Sequence, residues 1–291
     1  MSNTEMKSQF PADYSFIRYL ESKRSVDSRA FNQNVWKSFT ANLKSMDQKK
    51  LNVIEFGAGV GSMAERIIPK IANKEFSYTM LDSDKELLDI ALKRLPADNA
   101  SLDLVAHEAI DWLRNRTNEV KFNVVIAHAF MDLVDISKFI KLLIPHLDQG
   151  TLLYFPINFD GQTLFEPLLD PEFETQLIST YHQSMESEEG SNTKGTSKSA
   201  RKLISSLSEQ DFEVVETGSS DWIVQPESLG YPEDEAYFLF HILKFFENEL
   251  ESQVQLDKAR FRNWLLKRRT QILDAQLSYR AIQQDIFAIF P

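Results

Sequence analysis

The sequence contains no cysteine among its 291 residues. Disulfide bonds, thiolate catalysis and cysteine-ligated metal sites are therefore excluded. No stretch approaches the roughly 20 apolar residues that a membrane-spanning helix requires. The first ten residues, MSNTEMKSQF, lack the apolar segment that is typical of a signal peptide. These absences lead us to expect a cytoplasmic protein with no membrane partner, and we predict no metal site.

Cationic residues are outnumbered by acidic ones. The chain has 32 Lys and Arg against 43 Asp and Glu, a formal net charge of -11. Nucleic-acid binding depends on cationic patches that face phosphates, so this charge argues against a nucleic-acid partner. Hydrophobic residues make up 43% of the chain, which is enough for a substantial core in one large domain with insertions.

Glycine is scarce, yet three of the nine glycines stand within residues 57–61, GAGVG. An apolar segment, 53–56, precedes them and predicts a short buried strand. The spacing of Met63, Ile67 and Ile71 predicts a helix that begins near Val60. Glycine tolerates positive φ and close approach of a ligand, and a helix N-terminus offers free N–H donors. Strand, turn and helix together predict a site for a nucleotide-like ligand.

Two nucleotide motifs compete for this turn. The dinucleotide fingerprint G-x-G-x-x-G needs a glycine at position 62, where the chain has Ser62. A nicotinamide oxidoreductase is therefore the least favoured interpretation. With Glu55 ahead of Gly57, Gly59 and Gly61, the segment resembles E/D-x-G-x-G-x-G, the first motif of class I S-adenosylmethionine-dependent methyltransferases. The resemblance implies S-adenosyl-L-methionine as cofactor.

The resemblance also assigns roles to the turn and to the end of the next strand. Glu55 and the turn, which includes Ala58, would hold the methionine part of the cofactor. Asp82 follows the predicted strand 76–81 and would accept hydrogen bonds from the ribose hydroxyls, with Ser83 beside it. Alternatively, Ser83 or Asp84 would cap the helix predicted from Lys85 to Leu95.

The third strand, predicted over 101–106, is followed by Glu108 and Ala109. They loosely match an acid-Ala motif that lies beside the adenine in the family. The acidic side chain would accept from the adenine amino group, and a backbone N–H would donate to a ring nitrogen. The alternative is that Glu108 caps the next helix.

The fourth strand, 122–128, is continuously apolar up to His128. Open α/β sheets bind ligands at the carboxyl ends of their strands, and the resemblance makes His128 and Phe130 cofactor neighbours. The ordinary pKa of histidine, near 6.5, makes His128 a candidate general base. A hydrogen-bonded structural histidine is the alternative.

Two further residues are candidates for catalysis. Asp160 follows a fifth strand, predicted over 151–157, although an Asx turn before Gly161 would also explain it. His182 lies in a predicted short helix. The cofactor itself carries the reactivity in methyl transfer, so a base is not essential.

Strands and helices alternate from Leu51 to Thr217, which predicts a doubly wound α/β sheet. The resemblance adds an antiparallel last strand, placed at 278–290, and gives a mostly parallel sheet of seven strands. We expect an N-terminal helical cap segment (1–48) and a methyltransferase domain (49–291). Insertions at about 162–200 and 226–277 would add cap helices, and the polar stretch 186–199 is a lid or a plain loop.

The leading hypothesis is an S-adenosylmethionine-dependent methyltransferase that acts on an oxygen or nitrogen of a small molecule. One alternative is a protein or RNA methyltransferase. Another is a non-catalytic protein that binds S-adenosylmethionine and serves as an interaction module.

Overall fold

The computed structural model describes residues 10–47, 50–95, 102–117, 120–186 and 195–291. The helices in these ranges are α1 (Phe16–Ala30), α2 (Gln33–Ser45), α3 (Ser62–Ile71), α4 (Lys85–Arg94), α5 (Ala109–Asn115), α6 (Ile136–Leu143), α7 (Pro171–Ser184), α8 (Ser199–Glu209), α9 (Glu235–Leu250) and α10 (Lys258–Leu273). The strands are β1 (Lys50–Phe56), β2 (Glu75–Asp82), β3 (Leu102–Ala106), β4 (Phe122–Ala127), β5 (Leu147–Glu166), β6 (Glu213–Ser219), β7 (Trp222–Val224) and β8 (Ser278–Ile289).

The described strands form one sheet in the order β3-β2-β1-β4-β5-β8-β6, and β7 pairs with β8. The first five strands are parallel, and β6 and β7 run antiparallel to β8. The predicted doubly wound, mostly parallel sheet with an antiparallel last strand is confirmed. Strand β8 lies beside β5, as the resemblance implies, and the short β7 adds an eighth strand to the seven that were predicted.

The chain divides into two compact units. We call Met1–Ala30, Gly161–Glu186 and Asp221–Ile282 the helical unit, and Phe31–Asp160, Ser187–Ser220 and Gln283–Pro291 the sheet unit. The domain boundaries predicted from the sequence stay a prediction, since compactness alone does not define a folding domain.

The core of the sheet unit is built on its central strand. All six residues of β4 are buried, which explains why its sequence is apolar apart from Asn123. Helix α6 packs its apolar face, including Phe139 and Leu143, on the same core. Because strands β1 to β4 are parallel, their carboxyl ends lie at one edge of the sheet.

The core of the helical unit combines aromatic rings with a buried ion pair. The ring of Phe165 contacts those of Phe246 and Trp264. Nearby, the carboxylate of Glu174 accepts from Arg268 at 2.7 Å, with the two side chains 2% and 0% exposed. The indole N–H of Trp264 donates to the same carboxylate oxygen, so the buried charges are also hydrogen-bonded.

Strand β5 differs from its prediction. It runs from Leu147 to Glu166 instead of ending at Ile157. Ile157 has a φ of 60°, and its N–H donates to the carboxylate of Asp285 at 2.9 Å. The left-handed residue bends the strand without ending it, so Asp160 lies within β5 and the predicted Asx turn is wrong.

Two of the predicted segments lie partly outside the described residues. The first residue of the predicted third strand, Ser101, lies outside them, and so does most of the predicted loop 186–199. Helix α3 begins at Ser62, two residues after the predicted start. Over the described part of the chain, no helix is both long enough and apolar enough to cross a membrane.

Candidate functional site

The glycine turn between β1 and α3 needs its glycines for both conformation and space. Gly57, Gly59 and Gly61 have φ values of 64°, 50° and 81°, in the left-handed region that glycine favours. A Cβ on Gly57 would lie 2.7 Å from Cδ2 of Phe130, and one on Gly61 would lie 2.8 Å from Cβ of Ala91. Side chains are therefore excluded at Gly57 and Gly61, whereas the side chains of Ala58 and Val60 are buried.

Glu55 lies in β1, two residues before the turn, and is only 1% exposed. Its carboxylate accepts a hydrogen bond from the hydroxyl of Tyr78 at 2.6 Å and another from the backbone N–H of Ala64 in α3. Burial raises the pKa of Glu55 to about 8, and the charge of Asp82 adds to the rise, while the two hydrogen bonds oppose it. The carboxylate faces inward, beneath the turn.

Asp82 ends β2 and contacts the turn directly. Its carboxylate accepts from the backbone N–H of Gly59 at 2.8 Å and from that of Asp84 at 3.0 Å. Burial raises the pKa of Asp82. An ionised carboxylate has about four acceptor positions, so these two bonds leave capacity for ribose hydroxyls. The residue that caps α4 is Asp84, through the N–H of Glu86, and Ser83 is exposed.

Glu108 stands at the N-terminus of α5 with an exposed side chain. It occupies the N-cap position, where its backbone carbonyl accepts from the N–H of Trp112 at 2.9 Å, but its side chain makes no capping hydrogen bond. The N–H of His107 donates to the carbonyl of Asp82 at 3.0 Å and fastens the end of β3 to the end of β2. Ala109 is the first residue of α5 and is buried.

The end of β4 carries His128, which is half-buried. Its ring lies 5.4 Å from that of Phe31, measured between centroids. Ala129 has a φ of 48°, and its N–H donates to the carbonyl of Pro156 at 3.0 Å. Phe130 is 8% exposed and packs between Gly57 and the core. The structure thus brings His128 and Phe130 to the sheet edge where the glycine turn lies.

Asp285 in β8 is a residue that the sequence interpretation missed. Its carboxylate is fully buried and accepts from the N–H of Ile157 and from that of Asn32, the latter at 2.8 Å. It therefore ties the start of α2 and the bend of β5 to the last strand. An acid directly before the apolar run IFAIF was the available signal, but residues so far apart in sequence gave no indication of a shared contact.

The other two catalytic candidates have different surroundings. In the sheet unit, the Asp160 carboxylate accepts from Nε of Arg201 at 2.7 Å, and its carbonyl accepts from the same guanidinium. His182 belongs to the helical unit, where its Nε2 lies 3.1 Å from the Thr163 hydroxyl. Burial lowers the pKa of His182. Both side chains are thus engaged within their own units.

These residues fit S-adenosyl-L-methionine. Three glycines of the turn carry no side chain, so backbone can approach the methionine part of the ligand. Asp82 has acceptor capacity for ribose, and Glu108 presents an exposed carboxylate that caps nothing. The sheet edge combines a bare glycine turn, a helix N-terminus and two acids at successive strand ends, which defines the nucleotide-binding class of α/β fold.

Comparison with known proteins agrees with this class. Residues 35–226 match the family model described as "Putative S-adenosyl-L-methionine-dependent methyltransferase". The chain belongs to this family of S-adenosylmethionine-dependent methyltransferases, and S-adenosyl-L-methionine is its cofactor. A sequence comparison with curated proteins gives no match.

Solved structures share the fold at low identity. A Bacillus halodurans protein described as a "putative methyltransferase" is 12% identical, with a TM-score of 0.52 over 89% of this chain and 100% of its own. The YcgJ protein of Bacillus subtilis is 11% identical, with a TM-score of 0.50 over 88% and 98%. A Geobacter sulfurreducens S-adenosylmethionine-dependent methyltransferase in complex with S-adenosyl-L-homocysteine is 13% identical, with a TM-score of 0.47 over 90% and 92%.

Proposed function

We propose that this methyltransferase transfers the methyl group to an oxygen or nitrogen of a small-molecule acceptor. The observation that carries the proposal is the aromatic ring of Phe31, which packs against His128 at the end of β4. Phe31 is 8% exposed and its ring contacts His128. The next N–H, that of Asn32, is held by the buried carboxylate of Asp285. A fixed aromatic ring at this strand end favours a small acceptor over a polymer.

The net charge supports the same choice. At -11, the chain offers little attraction to a polyanionic acceptor such as RNA. Phe31 and His128 together present an apolar ring beside a polar one, a combination that is typical of small-molecule sites.

For the cofactor, we propose that the glycine turn receives the methionine part, Asp82 the ribose, and Glu108 with Ala109 the adenine. Ala58, Ser83 and Phe130 are proposed neighbours of the bound cofactor. When bound, the cofactor supplies a methyl group on a positively charged sulfur. The chain contributes binding, orientation and exclusion of water, which are the usual contributions of a protein to cofactor chemistry.

For the acceptor proton, we propose His128 as the group that removes it. His128 lies at a strand end of the sheet edge that holds the cofactor residues, and it is half-buried. Asp160 is a weaker proposal because its carboxylate is paired with Arg201. His182 is weaker as well, because its Nε2 is engaged with Thr163 in the helical unit.

The first test is calorimetric titration with S-adenosyl-L-homocysteine, with NAD as a control ligand. We expect Asp82→Ala to weaken binding by about 1–3 kcal/mol, the usual cost of losing hydrogen bonds to a charged group. The matched control is Asp84→Asn, which changes the next exposed acid but keeps an oxygen to cap α4. Binding of NAD in place of S-adenosyl-L-homocysteine would contradict the cofactor assignment.

The second test measures methyl transfer itself. Release of S-adenosyl-L-homocysteine is followed with small phenols, amines and carboxylic acids, and in parallel with RNA and protein acceptors. We expect turnover with members of the small-molecule set and a lower rate for His128→Gln. Methylation confined to RNA or protein would overturn the small-molecule proposal. Cofactor binding without turnover across all acceptors would favour the non-catalytic interaction module.

A further inference from the structure

Tyr78 is a buried polar residue next to the cofactor residues. It is 0% exposed, and its hydroxyl donates to Glu55 at 2.6 Å. Tyr78 pairs in register with Val53, and Glu55 pairs with Met80. Val53 and Glu55 share a face of β1 because side chains alternate along a strand. Tyr78 therefore approaches Glu55 diagonally across the two strands, on the face that bears α3.

The carboxylate that Tyr78 contacts replaces a missing helix cap. The residue before α3 is Gly61, which has no side chain to bond the free N–H groups at the start of the helix. Glu55 accepts from one of them, the N–H of Ala64. A strand residue beneath the turn thus performs the task that a serine or aspartate performs at other helix starts.

A second carboxylate holds the other half of the turn. Asp82 accepts from the N–H of Gly59, while Glu55 accepts from that of Ala64. The turn and the start of α3 are therefore each fastened by an acid, and the two acids come from adjacent strands. Of the two acids Glu55 is the more deeply buried, and burying a carboxyl group is costly unless donors compensate it. The hydroxyl of Tyr78 is such a donor, and it also fixes the direction of the carboxyl group.

We propose that Tyr78 is a positioning residue: through Glu55 it holds the start of α3, and with it the glycine turn, in the conformation that receives the methionine part of the cofactor. The proposal rests on the assignment of the glycine turn to that part of the cofactor. It gives Tyr78 no contact with the ligand. Its effect on binding is expected to be confined to the ligand atoms that face the turn.

The test compares two ligands in Tyr78→Phe. S-adenosyl-L-homocysteine carries the amino-acid part, and 5′-methylthioadenosine shares its adenosine and sulfur but lacks the amino and carboxyl groups. We expect the Kd for S-adenosyl-L-homocysteine to rise about 5- to 30-fold, the range that corresponds to loss of one or two hydrogen bonds. The Kd for 5′-methylthioadenosine should change less than about 2-fold, within the usual scatter of a surface substitution. Tyr279→Phe, a buried tyrosine of the helical unit, is the matched control and should leave both affinities unchanged.

Equal weakening of both ligands, or no change in either, would overturn the role of Tyr78. If the unsubstituted protein binds neither ligand, the cofactor assignment itself fails, and the two failures are thus distinguishable.

Amide hydrogen exchange of the unsubstituted protein gives a test that needs no variant. The N–H of Ala64 has no acceptor within its own helix, so we expect it to exchange slowly because Glu55 holds it. Rapid exchange at Ala64 would overturn the proposal.

Discussion

Gly57→Ala should damage this protein more than an ordinary glycine substitution, and the structure indicates by how much. Two separate costs apply. Alanine at a φ of 64° is strained, and left-handed backbone costs a non-glycine residue about 1–2 kcal/mol. The new Cβ would also lie 2.7 Å from Cδ2 of Phe130, and overpacking of a core usually costs about 1–3 kcal/mol. We expect a total loss of about 2–5 kcal/mol in the free energy of unfolding.

Gly150→Ala separates the two costs. Gly150 has a similar φ of 78°, but no atom lies within 4 Å of the Cβ that alanine would add. This control should lose only the conformational part, about 1–2 kcal/mol. It should also keep its affinity for S-adenosyl-L-homocysteine, whereas Gly57→Ala should lower it because the turn must shift. Urea unfolding gives the first quantity, and calorimetric titration gives the second.

A double-mutant cycle checks the cause of the excess. Phe130→Leu replaces the ring that the new Cβ would strike with a smaller side chain. In the background of that change, Gly57→Ala should cost less than it does alone, with a coupling of about 1–3 kcal/mol. The reasoning would be refuted if Gly57→Ala and Gly150→Ala were equally costly, or if the Phe130 change gave no relief.

Three further predictions concern buried polar groups. Glu174→Gln leaves the buried guanidinium of Arg268 without its charge partner and should lower the free energy of unfolding in urea by about 3–5 kcal/mol. The control, Glu251→Gln, removes an exposed ion pair and should cost less than about 1 kcal/mol. Equal costs would contradict this prediction. Asp285→Asn leaves one acceptor oxygen for two backbone N–H groups, so the free energy of unfolding should fall by about 1–3 kcal/mol. The affinity for S-adenosyl-L-homocysteine should stay unchanged. An unaltered urea midpoint would contradict this prediction. Burial, with a smaller effect from a neighbouring lysine charge, lowers the pKa of His241 to about 4, below its ordinary value of 6.5. The folded state therefore disfavours the protonated ring, and stability that is present above pH 6.5 should fall as the pH drops toward 4. Replacing His241 with Phe should remove that part of the pH dependence, and identical pH profiles would refute the assignment.

The sequence predicted the strand, turn and helix of the candidate site well because the signals are local. Glu55, Gly57, Gly59 and Gly61 lie within seven residues, and the strand, turn and helix around them were identified from periodicity and glycine alone. The parallel sheet followed from the alternation of apolar strands with helices. The class of protein and its cofactor are confirmed by the family match, whereas the individual ligand contacts stay a proposal.

The predictions that failed depend on distant residues. Strand β5 was predicted to end at Ile157, where polar residues begin, but the carboxylate of Asp285 in β8 accepts the N–H of Ile157 and the strand continues. Glu108 occupies the N-cap position of α5, as the alternative had it, but its side chain makes no capping hydrogen bond. In both cases the deciding partner, or its absence, belongs to the folded chain and not to the neighbouring sequence.

By itself, the sequence determined the α/β class, the glycine turn and the acids that follow successive strands. These features arise from hydrophobic period, backbone freedom and spacing, all of which act over a few residues. The tertiary structure alone decided which donors surround each carboxylate. Tyr78 reaches Glu55 only because β2 pairs with β1 in one register, and Asp285 reaches Ile157 only because the last strand lies beside β5. Buried polar groups must find partners wherever the fold places them, and that placement is a property of the whole chain.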